Sequence, residues 1–179
     1  MIIRHAEKPS DDQLVRGVTI HGTHDRHDLS VRGWQRAGAL VRFFAPLEPR
    51  PTGAPIAPPR TIFASAATPK SPSLRSQHTV APLAAALGLR VHKPYAKGEE
   101  KALANAMAAA EEPVLVAWHH NHIPALARAI GGKDLACPRH WPDDRFDLVW
   151  VLDRPTGAAS WSFSQTAQCL LAQDCADLA

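Results

Sequence analysis

A chain of 179 residues fits one domain and is long enough to bury a full core. Its 45% hydrophobic and 21% charged content is that of an ordinary globular protein, and no stretch approaches the roughly 20 apolar residues a bilayer-spanning helix needs. A net charge of +3 without a long Lys/Arg block accommodates anionic ligands but leaves no footprint for nucleic acid or a membrane surface.

The chain opens on MII, a strand-like run that leads straight into Arg4 and His5. Polar side chains emerging where a buried strand leaves its sheet stand where open α/β sheets bind ligands. Residues 10–28, SDDQLVRGVTIHGTHDRHD, show no sustained period and read as a long structureless loop, a kind that is often functional. DLSVRGWQRAGALVRFF reads as a helix: Ser30 suits its N-cap, and Trp34, Ala37, Leu40, Val41 and Phe44 recur at helical spacing. Pro46, Pro49, Pro51, Pro55, Pro58 and Pro59 then forbid a helix interior or a central strand, so this segment is a surface connection.

RTIFASAAT reads as a second strand, followed by a Ser/Pro-rich turn and a helix, LRSQHTVAPLAAALG, closed by Gly88. LRVHKPY is a short strand and GEEKALANAMAAAEE a helix of strong formers. PVLVAW is a continuous apolar run, as expected of a parallel strand covered on both faces. IPALARAIGG is the next helix, and FDLVWVLDR and GAASWSFSQ close the chain as two strands, candidates for a hairpin around Pro155, Thr156 and Gly157. Strands alternating with helices predict one α/β domain over residues 1–179, a three-layer α/β/α sandwich with a mostly parallel sheet.

In such a sheet the strand ends share one edge, which would gather Arg4 and His5, Arg75, and the pair His119 and His120. Like charges crowded in one cleft repel unless an anion neutralises them. Arginine forks suit phosphate oxygens, and imidazole can donate a hydrogen bond or act as a nucleophile. In HGTHDRHD, His21, His24, His27, Asp25 and Asp28 offer donors for a zinc-class metal, but their spacing fits no established ligand pattern and a substrate-covering loop is the preferred reading. Cys137, Cys169 and Cys175 are too few for a disulfide framework and read as free thiols, with one bridge from Cys137 to a tail cysteine as the alternative. Trp118, Trp141 and Trp150 read as packing residues, and the segment HWPDDRFDLVW is a candidate rim of the pocket. No secretory signal precedes Arg4, so a cytoplasmic location is expected, while MII is short for a first strand and fits a trimmed start.

Four motifs in order resemble the histidine phosphatase (phosphoglycerate mutase-like) superfamily. IIRHAEKP resembles its opening Arg-His segment, DLSVRGWQRAGAL its L-S/T-x-x-G-x-x-Q-A helix start, and IFAS with SLRSQHTVAPLAAALGL its second-arginine segment, in which a Thr follows four residues after the Arg. VLVAWHHNHIPALARAIGG resembles its second-histidine strand and helix.

The resemblance implies a phosphoglycerate mutase-like fold and a metal-independent phosphatase, with no cofactor. His5 would attack phosphorus to give a phosphohistidine that water hydrolyses, while Arg4, Arg75 and His119 hold the nonbridging oxygens and His120 contacts substrate. The substrate would be a phosphorylated small molecule or a phosphoprotein. Two departures stand out: many members follow Arg-His with Gly and a downstream Asn that binds phosphate, where this chain reads AEKPSDD with Ala6 and Asp11, and the general acid is unassigned. Glu99 and Glu100, with Glu7 behind them, are the candidates; without an acid the enzyme would favour leaving groups that depart readily, such as phosphohistidine. The alternatives are a phosphate- or phosphopeptide-binding module without turnover and, less favoured, a phosphomutase.

Overall fold

Three apolar runs form the centre of a six-stranded sheet. Ile2–Arg4 (β1), Thr61–Ala64 (β2) and Val114–Trp118 (β4) are joined by parallel pairings, β1 and β2 flanking β4. Val91–His92 (β3) pairs parallel with β2. On the other side Leu148–Asp153 (β5) runs antiparallel to β1, and Ser162–Ala167 (β6) antiparallel to β5. The order is β3-β2-β4-β1-β5-β6, seen in a computed structural model that describes residues 1–11, 14–51 and 53–178.

The architecture is α/β, as the alternating pattern predicts, with a mixed sheet: the pairings that join β3, β2, β4 and β1 are parallel, and the two that add β5 and β6 are antiparallel. The antiparallel part is the last two strands. The segment after β5 carries no crossover helix, and a direct return can only pair antiparallel.

Helices Val31–Phe44 (α1), Arg75–Leu87 (α2), Glu100–Ala108 (α3) and Ile123–Gly131 (α4) cover the sheet. Alternation along each strand divides the core. Ile3, Ile62, Leu115 and Val149 pack with Leu40 and Phe44 of α1 and Val80 and Leu83 of α2. Ile2, Phe63, Val116 and Trp150 pack with Leu103 and Met107 of α3 and Ile123 and Leu126 of α4. Each such side chain contributes about 1.5–3 kcal/mol by leaving water. The three tryptophans expected in packing are buried, Trp141 against Trp150 at 5.3 Å between ring centroids.

Ser30 caps α1, its Oγ accepting from the Gly33 amide at 3.1 Å. The same hydroxyl donates to the Glu7 carbonyl at 3.2 Å, and the Ser30 amide donates to that carbonyl at 2.9 Å. Gly33 lets the helix press on this segment: a Cβ there would stand 2.5 Å from the Glu7 oxygen. The first turn of α1 is thereby fastened two residues beyond His5.

The described residues of 10–28 hold no helix or named strand, as expected of a loop, but they carry local order. Val18 bridges His24 and Gly17 bridges Ser30, both antiparallel, and Thr19 to Thr23 form the turn between them. The Trp34 indole N–H holds the excursion to α1 by donating to the Val18 carbonyl at 2.7 Å. Asp12 and Gln13, within this stretch, lie outside the described residues.

The segment after β6 has no regular structure, yet it is bound by charge. Buried Arg36 donates to Asp174 at 2.7 Å and to Glu7 at 2.7 Å, and Arg32 reaches Glu7 at 3.1 Å and Asp174 at 3.4 Å. Burial opposes the Arg36 charge, but hydrogen bonds to Asp174 and Glu7 outweigh it and raise its pKa above the ordinary value. The cysteines are free, Cys169 and Cys175 exposed and Cys137 half-buried. Among the described residues no helix is long and apolar enough to cross a membrane.

Candidate active site

The carboxyl end of β1 carries Arg4 and His5, and both are buried. The His5 amide continues the ladder past the strand by donating to the Trp118 carbonyl at 3.1 Å. Its ring Nδ1 lies 2.8 Å from the Ala6 carbonyl. A carbonyl can only accept, so Nδ1 carries the proton and Nε2 keeps its lone pair. Burial first, then the charges of Arg75 and Arg4 and the neighbouring His119, push the His5 pKa well below 6.5 despite the opposing Ala6 bond. The residue is a neutral imidazole of fixed tautomer.

The Thr79 hydroxyl and the Arg4 guanidinium fix the surrounding backbone. The Ala6 amide donates to Thr79 Oγ1 at 2.8 Å, and that hydroxyl donates to the Arg75 carbonyl at 2.7 Å. The fourth residue after Arg75 thus ties the first turn of α2 to the residue after His5. Arg4 Nη1 donates to the carbonyls of Asp143 at 2.6 Å and Arg145 at 3.1 Å, while its guanidinium lies 3.8 Å over the Phe146 ring. Its Nε is buried without a hydrogen-bond partner among the described residues. Burial lowers the Arg4 pKa to about 10, which leaves it charged at neutral pH.

Arg75 opens α2, its Nε donating to Ser73 Oγ at 2.9 Å. Its charge reaches Arg4, His5 and His119 and lowers the pKa of each. Its own pKa is lowered by burial, against the pull of Asp28 and Asp25. His119 follows β4, with its ring 6.0 Å from that of His5. Ser65 Oγ donates to the Ala66 carbonyl at 3.2 Å and lies 2.9 Å from His119 Nε2, so the hydroxyl accepts from an Nε2–H. Burial, with Lys97, His122 and Arg75 nearby, lowers the His119 pKa to about 4. His120 Nε2 lies 3.1 Å from Asp143 Oδ1, and burial and Arg4 lower its pKa against that carboxylate.

Arg4, His5, Arg75, His119 and His120 therefore share one sheet edge. The three glutamates are otherwise engaged. Glu7 holds Arg36 and Arg32, and Glu99, exposed, accepts from the Ala96 amide at 2.7 Å. Buried Glu100 accepts from the Gly98 amide at 3.0 Å and the Trp118 indole at 3.1 Å, and pairs with His122 at 2.9 Å. Burial alone would raise its pKa, but these bonds prevail and lower it, so Glu100 stays an ionised acceptor. Asp11 faces Lys8 at 3.4 Å.

The loop histidines do not assemble a metal site. Asp28 accepts from His78 at 2.6 Å and His27 accepts from Arg26 at 3.1 Å; among the described residues no group of three His, Cys, Asp or Glu side chains is placed to hold an ion. His24 and His27 instead line a cavity of about 430 Å³ with Arg75. A larger cavity of about 1020 Å³ lies beside Met1, Val114 and Pro155, at the other end of the strands.

Ser65 escaped the sequence reading, and Asp143 and Phe146 were covered there only as part of the segment expected at the pocket rim. Ser65 stands at a strand exit and had a signal there. The Asp143 and Arg145 carbonyls that hold Arg4 had none, because a main-chain acceptor leaves no trace in residue type.

The sequence matches no protein-family model and no curated protein. A solved structure named "Mycobacterial hydrolase 1" is similar at a TM-score of 0.46 and 15% identity, over 93% of this chain and 95% of that one. A likeness so distant carries no argument about activity.

Proposed function

We propose that the chain is a phosphatase of the histidine phosphatase superfamily, with a phosphoglycerate mutase-like domain over residues 1–179. It hydrolyses a phosphorylated substrate through a phosphohistidine on His5, without a metal. The observation that carries this reading is the His5 tautomer: Nδ1–H is committed to the Ala6 carbonyl, which leaves the Nε2 lone pair as nucleophile among Arg4, Arg75 and His119.

Nε2 attacks phosphorus and the ester oxygen departs with the bonding pair. Water then attacks the phosphohistidine, and the P–N electrons return to Nε2. Arg4 and Arg75 hold the charge that spreads over the nonbridging oxygens, and His119 joins them by turning its Nε2–H from Ser65 Oγ to an oxygen of the bound phosphoryl group. Positive charge formed on the imidazole is stabilised at Nδ1–H by the Ala6 carbonyl. His120 sits at the rim with Asp143 and contacts the substrate.

The test is hydrolysis of para-nitrophenyl phosphate with chelator present. Wild type is expected to turn over and His5→Ala to lose at least about a thousandfold in kcat. Phosphate binding without turnover by the wild type would make the chain a binding module instead.

A further inference from the structure

The cavity beside Arg75 has a marked charge. Of the described residues that line it, Lys8, Arg16, Arg26 and Arg75 are cationic, His24 and His27 add imidazoles, and Asp11 is the single acid. Lys8 and Asp11 meet only at 3.4 Å and on the surface, so that pair offsets little of the field. Its volume of about 430 Å³ lies in the range of small-ligand sites, roughly 300–1,000 Å³. Bridged backbone between Gly17 and Ser30 presents several of these groups, and the Leu74 amide joins the loop to the start of α2 through the His27 carbonyl at 3.2 Å. Arg75 belongs both to this cavity and to the cluster around His5.

A second observation concerns the leaving group. Glu99 and Glu100, the carboxyls best placed in sequence to protonate a departing alkoxide, accept hydrogen bonds from their own surroundings. A site built this way suits a leaving oxygen that is stable as an anion. An anionic leaving group is also what a cationic cavity next to the nucleophile would hold.

We propose that Lys8, Arg16, Arg26 and Arg75 form a polyanion subsite, and that His5 acts on the terminal phosphoryl group of a condensed phosphate chain whose remainder this cavity binds. This rests on the phosphatase reading above. The His5 Nε2 lone pair bonds to the terminal phosphorus and the bridging P–O bond breaks. Its electron pair stays on the bridging oxygen, which becomes a terminal oxygen of the shortened chain and needs no proton. Water then cleaves the P–N bond, releasing orthophosphate and one proton to solvent and returning the lone pair to Nε2.

The experiment compares phosphate release from inorganic tripolyphosphate and from para-nitrophenyl phosphate, in chelator, by wild type and by R16Q/R26Q. Arg16 and Arg26 are exposed, so the folded state tolerates the change. The ratio of kcat/KM for tripolyphosphate to that for para-nitrophenyl phosphate is expected to fall about tenfold or more. Arg42→Gln, which removes a charge from the exposed end of α1, is expected to leave that ratio as it was. An unchanged ratio in R16Q/R26Q, or an equal fall in Arg42→Gln, overturns the subsite. A parallel arm with adenosine triphosphate distinguishes a free chain from one capped by a nucleoside, and turnover of either supports the proposal.

Calorimetric titration into His5→Ala separates this inference from the reading it rests on. Tripolyphosphate is expected to bind more tightly than orthophosphate, and R16Q/R26Q to weaken it. Such binding with no turnover by wild type removes the reaction and keeps the subsite. Turnover of para-nitrophenyl phosphate with tripolyphosphate bound no more tightly than orthophosphate removes the subsite alone.

Discussion

The two buried histidines make opposite uses of the same imidazole chemistry. His5 commits Nδ1–H to a carbonyl and leaves Nε2 bare, whereas His119 commits Nε2–H to Ser65. Both are held neutral, and this has a pH signature. The unfolded chain takes up a proton on each near pH 6.5, while folded His119 waits until about 4 and His5 also titrates well below 6.5. The unfolded state thus binds more protons over that interval, so stability is full above about 6.5 and declines as pH falls towards 4. Urea midpoints across this range are expected to drop on acidification, and the drop to shrink in His119→Gln. Activity follows a different course. Because His5 remains an unprotonated nucleophile below its ordinary pKa, kcat/KM for para-nitrophenyl phosphate is expected to hold as pH falls through about 6.5. Half the rate lost near 6.5 would show an unshifted imidazole.

At the scale of elements, the strand ends supply the chemistry and the helix starts hold it in place. Thr79 in α2 and Ser30 at the N-cap of α1 each tie a helix to the two residues after His5, one through the Ala6 amide and one through the Glu7 carbonyl. Gly33 makes the second tie close enough to form. Gly33→Ala would set a methyl 2.5 Å from the Glu7 oxygen, and the resulting shift is expected to cost about 1–3 kcal/mol. It should also lower kcat more than a surface Gly38→Ala control, where a Cβ meets open space. Equal stability and activity in the two variants would show that α1 does not position the segment. Much of this was legible beforehand. Apolar periodicity marked α1, and the Ser30 cap was visible three residues before the glycine it serves. The hairpin-like order of residues 17–30 was not, because its hydrogen bonds run between main-chain groups and an indole donor, which leave no hydrophobic period.

The whole molecule is a mixed sheet whose parallel part presents Arg4, His5 and His119 at one edge, with helices on both faces. The alternation of strands and helices made that edge predictable. The antiparallel sense of β5 against β1 was harder to foresee, since a strand's sequence shows its burial but not its sense. The fate of the glutamates was harder still: whether a carboxylate is free to deliver a proton depends on amides and an indole brought to it by folding, and Glu100 meets both.

One further consequence follows from the buried charges that join Glu7 to Asp174 through Arg36. Asp174 also receives the amides of Leu170 and Leu171, and its pKa, which burial would raise, is brought down to about 2 by Arg36 and these donors. A tail without helix or strand is thereby wired into the segment that carries His5, and opening it would strand a guanidinium that is 2% exposed. The tail should therefore not fray as chain ends usually do. In native-state hydrogen exchange, the amides of Leu170 and Leu171 are expected to open in the same cooperative unit as those of Ser30 and Gly33, with one shared free energy and one shared response to denaturant. Exchange of the tail amides at rates near those of a free peptide would mean that the ends of the molecule breathe separately.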